Sequence, residues 1–284
     1  MTELALRITV VIFMAGSLGA VGLALSPRDA IEPLRQPGFV VRVLVASWLV
    51  PPALALLLLA VVPLEPAYVT GLWLLALAPC APFAPALVSL AGGHAASMAA
   101  VMLTSIVTTV VVMPLALPLA AGVSADFLTI ARPLLVLVLL PVAIGIMVRR
   151  VAPGAAQRLR RPLDIVTGVT GAIGLGLVGV VHGRGIDGAV GSLAIATQIV
   201  FLCAIAIVVH GIGWGLDERQ RRTLTICSVT RNLGAALAPL AGAASDQRAI
   251  VMVAIAVPTT LAIGVLAAVW LAGEGQRRRV TPGG

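Results

Sequence analysis

The chain contains no lysine: all nineteen of its basic residues are arginine. Charged residues of either sign make up only 11% of the 284 residues, where a soluble globular domain carries about a quarter. That scarcity excludes a separate soluble domain, because no stretch is polar enough to clothe one. Cys80, Cys203 and Cys227 stand in apolar surroundings with neither CxxC spacing nor a zinc-partner set, which argues against a disulfide framework or a metal site. The catalytic signatures HExxH, DxxD and Ser-His-acid are missing, so His94, His182 and His210 qualify as catalytic candidates only by residue type. The series Gly168, Gly171, Gly174 and Gly179 precedes neither a strand nor a GK[ST] triplet; close helix packing explains it better than phosphate binding. No nucleic-acid motif accompanies the net charge of +8.

Apolar residues are what the sequence does have: 60% of the chain, with a mean hydropathy of +1.10. These values place it in the integral membrane class. The apolar runs predict nine helical spans, at 4–25, 39–62, 67–93, 94–121, 128–148, 163–182, 188–214, 219–243 and 248–272. The first is read as a retained helix, since no small-residue cleavage pattern follows it. Residues 1–272 thus form one transmembrane domain, its halves at about 4–121 and 128–272, and 273–284 a flexible polar tail. Pro51-Pro52 predicts a kink in the second span, and Pro79, Pro82 and Pro85 are spaced too closely for one regular helix in the third.

Nine spans put alternate loops on opposite faces. Arginines 28, 35, 149, 150, 158, 160, 161, 219, 221, 222, 277, 278 and 279 then all fall on one face. By the positive-inside rule that face is cytoplasmic, with the amino terminus outside and the carboxyl terminus inside. A miscounted span would scatter the same arginines over both faces.

The stretch from Arg219 to Ala243 stands apart. Arg231 and Asn232 lie beside Gly234, deep in an otherwise apolar segment and about 13 Å of helix rise from Arg222. A charge so placed either holds neighbouring helix carbonyls or lines a translocation path. The piece ALAPLAGA at 236–243 echoes ALVSLAGG at 86–93, and interrupted segments at matching places in two halves point to a midplane site at a repeat interface. Thr230 and Cys227 belong to the same stretch. Ser97 and Thr104, two turns apart in the fourth span, offer hydroxyls to one side of a cavity.

The run from Val10 to Leu58, with Gly22-x-x-Leu25-Ser26-Pro27-x-Asp29 and then Pro37-Gly38 opening the next helix, and the Arg222-Thr-Leu and Arg231-Asn-x-Gly234 runs resemble the bile acid:sodium symporter superfamily, itself similar in fold to arsenite permeases. The resemblance covers about 4–272. It implies inverted five-helix repeats, with the first of the usual ten helices absent, and two unwound helices crossing near substrate and sodium sites. Against the Glu-x-Gly-x-Gln-Asn pattern of sodium-coupled members, this chain has Cys227 at the glutamate and Arg231 at the glutamine position. Phe83-Ala84 replaces Ser-Asn, Ser97 keeps its hydroxyl and Val101 replaces a threonine. Arginine has five donors and no acceptor, so the cation-ligand pattern is depleted.

The leading expectation is an all-α secondary transporter, nine-helical, with inverted repeats and two broken crossing helices. It moves a small organic anion held by Arg231, Asn232, Thr230, Cys227, Ser97 and Thr104, with neither a metal nor a cofactor. A sodium-coupled organic anion symporter and an arsenite-type permease are the alternatives within that class; a membrane enzyme and a receptor are the alternatives outside it. The expected partners are the anionic substrate and the lipid bilayer, not nucleic acid, and nothing in the sequence specifies an oligomeric state.

Overall fold

The computed structural model describes residues 2–123, 125–241 and 247–280. Its elements are helices α1 (Thr2–Ala24), α2 (Pro27–Leu34), α3 (Pro37–Trp48), α4 (Val50–Val61), α5 (Pro66–Ala76), α6 (Ala84–Leu90) and α7 (Ala95–Ala121) in the first half. In the second half come α8 (Phe127–Leu134), α9 (Leu140–Val151), α10 (Pro153–Gly191), α11 (Ala194–Ile212), α12 (Glu218–Val229), α13 (Leu233–Leu237) and α14 (Gln247–Val280). No strand occurs among the described residues.

Among the described residues, seven helical stretches are long and apolar enough to cross a membrane: 4–24, 37–61, 95–121, 127–151, 153–181, 194–212 and 249–274. The third and eighth of the nine expected spans are the exceptions, each a helix in two short pieces, α5 with α6 and α12 with α13. Proline shapes several of the others. Ser26 caps α2, with Pro27 opening it. The second span breaks at Leu49, just before Pro51 and Pro52, whose missing amides leave carbonyls of the preceding turn unbonded. Pro133 and Pro141 flank a turn of π-helix at Leu135–Leu139 that joins α8 to α9, an irregularity the apolar run did not announce.

Two loop expectations need correction. Arg158, Arg160 and Arg161, expected in a connection, ride on α10, which opens at Pro153, runs through the good helix formers of Ala-Ala-Gln-Arg-Leu-Arg-Arg and contains Pro162 directly after them. The tail expected from 273 is helical to Val280, continuing α14; 281–284 lie outside the described residues.

The outside of the bundle is apolar, as a bilayer requires. Val107, Val111, Leu115 and Leu119 form an exposed stripe at four-residue spacing along α7. The innermost elements are the broken ones. Every residue of Ala67–Ala76 except Val69 and Thr70 is buried in α5, and in α12 Gln220 and the whole run from Arg222 to Val229. Helices α1, α9 and α10 pack together to one side, and α14 lies against α5, α10 and α11. Gly145 of α9 meets α1 backbone to backbone: a Cβ there would sit 2.5 Å from the Gly19 carbonyl oxygen and 2.7 Å from the Leu23 nitrogen.

The arginines of one face do more than mark it. Arg149 Nη1 donates to the carbonyls of Leu23 and Ala24 at 3.1 and 2.6 Å, at the end of α1. Arg222 reaches the Ala91 carbonyl after α6, and Arg221 the His210 carbonyl near the end of α11. Arg42 donates to the Ile212 and Trp214 carbonyls at 3.0 and 3.1 Å. Helix ends carry unsatisfied carbonyls and partial negative charge, so each cation answers a need created by the helix it caps.

Candidate functional site

The breaks in α5/α6 and α12/α13 meet. Cys80 and Arg231 form an isolated antiparallel bridge, in which the Asn232 amide donates to the Pro79 carbonyl at 2.8 Å and the Ala81 amide to the Thr230 carbonyl at 3.1 Å. The first break follows from Pro79 and Pro82, which have no amide to continue a helix. The second contains no proline. There Thr230 turns extended, its hydroxyl donating to the Ile226 carbonyl at 2.9 Å, and Asn232 restarts the chain by capping α13, its Oδ1 accepting from the Ala235 amide at 3.0 Å. Gly234 is needed for the approach of α1: a Cβ there would meet Met14 Cγ at 2.5 Å.

Arg231 is 2% exposed, the largest fully enclosed side chain among the described residues. Its Nη1 donates to the Ala78 carbonyl at 2.9 Å; Nε and Nη2 have no hydrogen-bond partner. Asn232 Nδ2 and Ser228 Oγ are also buried and unpartnered. None of the ion pairs among the described residues involves Arg231. A buried cation with two idle donors, beside a third on Asn232, leaves the crossing short of hydrogen-bond acceptors.

The six side chains expected at the site divide. Arg231, Asn232 and Thr230 lie in the break, and Cys227 is buried in the last turn of α12. Ser97 does not join them: its amide donates to His94 Nδ1 and its hydroxyl lies 2.9 Å from that nitrogen, at the start of α7. That end of α7 is about 12 Å of helix rise from the crossing. Thr104 is half-buried, and its neighbour Ser105 makes the contact instead, its Oγ accepting from the Cys80 amide at 3.4 Å. Sequence reasoning also missed Cys80, whose Sγ is 3.7 Å from Thr230 Oγ1, and the Ala78 carbonyl that holds the guanidinium. The signals were present: Ser105 belongs to the hydroxyl run, and Cys80 sits inside the proline triplet.

Two cavities, of about 480 and 380 Å³, open on the arginine-rich face, and His94 lines both. Glu32, Arg42 and Asp217 border the larger, Asp29 and Arg219 the smaller. Neither is lined by Arg231, which lies enclosed deeper in the bundle. His94 here caps α7, and His210 lies 3.3 Å from Thr225 Oγ1 and edge-on to Trp270, so both have structural work; the side chain of His182 lies outside the described residues.

Apolar helices wrapped around two broken ones that cross on a buried cation define an α-helical membrane protein of the transporter class. The chain belongs to the sodium bile acid symporter family, whose model matches residues 9–185. Members of that family are transporters rather than enzymes. The match takes in α5, α6 and the first break, and ends before α12, so Cys227 and Arg231 lie beyond it. No curated protein matches the chain.

Proposed function

We propose that this protein is a secondary transporter that carries a small organic anion by alternating access, binding it at the crossing of the two broken helices. The observation that carries this reading is the buried Arg231 guanidinium with Nε and Nη2 unpartnered. In this reading the two broken helices complete nine spans, and the two halves are inverted repeats that rock about the site. The arginine-rich face is cytoplasmic, which puts the amino terminus outside and the carboxyl terminus within the cell. A cysteine introduced after Arg279 is then protected from an impermeant thiol reagent in intact cells. Labelling as fast as an external control would reverse the orientation.

Coupling to sodium is weak in this proposal. A fixed cation stands where a hard oxygen ligand would be wanted, and Cys227 brings sulfur where a carboxylate would bind sodium. Uptake into sealed vesicles containing the purified protein, sodium-loaded against sodium-free at equal ionic strength, is expected to differ less than about twofold, well inside one decade of affinity. Accumulation of an anion supports transport; product formation without accumulation would select an enzyme. Family membership favours a second reading, sodium-coupled symport, with carbonyls freed at the two breaks as the cation ligands. A steep sodium requirement with competition from cations of similar size selects it over the first.

A further inference from the structure

Helix α10 is the least covered of the long spans. Only 17% of its apolar window is buried inside the protein, against 33–56% in the other six. Its covered side is narrow and faces α1: a Cβ on Gly16 would touch both Leu163 and Thr167, and Cβ atoms on Gly171 and Gly174 would touch Phe13 and Thr9. At about 100° per residue, those four positions cluster within about 40° of Thr167, whereas Arg158 projects from the opposite side and Arg161 from about 120° away. Ile165 and Val169 continue that outward side and are 58% and 52% exposed. Two arginines thus stand at the polar end of an apolar face turned towards lipid.

The neighbouring charges are already engaged. Arg149 is spent on the Leu23 and Ala24 carbonyls. Arg160, on the α1 side of the helix, pairs with Asp164 at 3.9 Å, and Asp164 is the only acidic residue between Asp126 and Asp187. Arg158 and Arg161, together with Arg150 in the last turn of α9, are exposed and form no ion pair among the described residues. A ligand that answers the whole face carries a negative head and an apolar chain. A soluble phosphate would leave Ile165 and Val169 uncovered, and a lipid of zero net charge would leave the arginines uncompensated. The planar guanidinium fork suits phosphate oxygens in particular.

We propose that the outward face of α10 is a binding site for a negatively charged phospholipid. Arg158 and Arg161 hold its phosphate with Arg150 alongside, and its acyl chain lies along Ile165 and Val169. Basic clusters at the polar end of membrane helices recognise anionic head groups in this way. The site lies on the outside of the bundle and is independent of what the protein transports.

The test uses the full-length protein in non-ionic detergent, with three probes: dioleoyl phosphatidylglycerol, dioleoyl phosphatidylcholine and soluble glycerol phosphate. Binding is read by titration calorimetry and by the shift in unfolding temperature that each probe causes. Phosphatidylglycerol is expected to bind and to raise the unfolding temperature by a few degrees, with phosphatidylcholine weaker by roughly tenfold or more and glycerol phosphate without effect. The double variant Arg158→Gln/Arg161→Gln is expected to bind phosphatidylglycerol roughly 25-fold more weakly and, lipid-free, to unfold at the wild-type temperature, both side chains being exposed. Arg28→Gln/Arg35→Gln removes the same charge from exposed positions on α2 and is expected to change the affinity less than about twofold. The proposal is overturned if the two double variants lose affinity equally, which would mean diffuse attraction to a cationic surface. It is also overturned if the Arg158/Arg161 variant binds as tightly as wild type, or if phosphatidylcholine or glycerol phosphate binds as well as phosphatidylglycerol. Disulfide cross-linking of Ile165→Cys chains to one another in native membranes, beyond that of wild type, would overturn it too, by showing that a second copy covers this face.

Discussion

Arg231→Gln is expected to raise the unfolding temperature of the purified protein while weakening its hold on substrate. The first half follows from an unbalanced burial. Enclosing an unpaired cation costs several kcal/mol after relaxation. Against that stands one charged hydrogen bond from Nη1 to the Ala78 carbonyl, which contributes about 1.5 to 3 kcal/mol. The burial cost is the larger, so a neutral side chain at this position stabilises the empty protein by on the order of 1 to 3 kcal/mol. In a chain of this size that is a shift of a few degrees upward. The second half follows from the lost charge-assisted contact, about 10- to 150-fold in affinity. Thermal unfolding and ligand binding are measured on the same preparation. If the glutamine variant melts earlier than wild type and binds normally, Arg231 is a strut between the two breaks and not part of a binding site.

The second large effect belongs to the contact between α1 and α9. Gly145→Ala places a methyl carbon 2.5 Å from the Gly19 carbonyl oxygen and 2.8 Å from the Gly22 carbonyl carbon, where the obstacles are backbone and do not rotate away. The helices have to part, and with them go the Arg149 bonds to Leu23 and Ala24 at the end of α1. Overpacking of this kind costs about 1 to 3 kcal/mol or more, and the lost caps add to it. The expected outcome is a fall of several degrees or more in unfolding temperature and a reduced yield of folded protein. Gly176→Ala, on the open face of α10 with nothing within 4 Å of its Cβ, is the matched control. It is expected to leave stability unchanged or raise it slightly, since alanine is the better helix former. Equal behaviour of the two variants would mean that α1 and α9 are not packed this closely.

Much of this architecture could be read from the sequence because its causes are local. Three prolines within seven residues forbid one regular helix, and the second interrupted segment is marked by the deep Arg231-Asn232 pair and by the echo of 86–93 in 236–243. The breaks were therefore legible. What stands opposite them was not. Ser105 rather than Thr104 faces the crossing because of how α7 is rotated about its axis, and neighbouring helical residues point about 100° apart. That rotation is set by packing against other helices. The same reason hid the Ala78 carbonyl, since a main-chain group is invisible as a residue type. The Arg158 to Arg161 run was misplaced in a loop for a different reason: charge was read as a mark of connection, although its residues favour helix.

The joint between the breaks is made of main chain, amide to carbonyl in both directions at Cys80 and Arg231. Such a joint does not depend on which side chains flank it. On the reading proposed above, the side chains beside the joint, Cys227 and Arg231 among them, can change without removing either of its hydrogen bonds. In that reading the frame and the chemistry of the cargo site are separable properties of the chain.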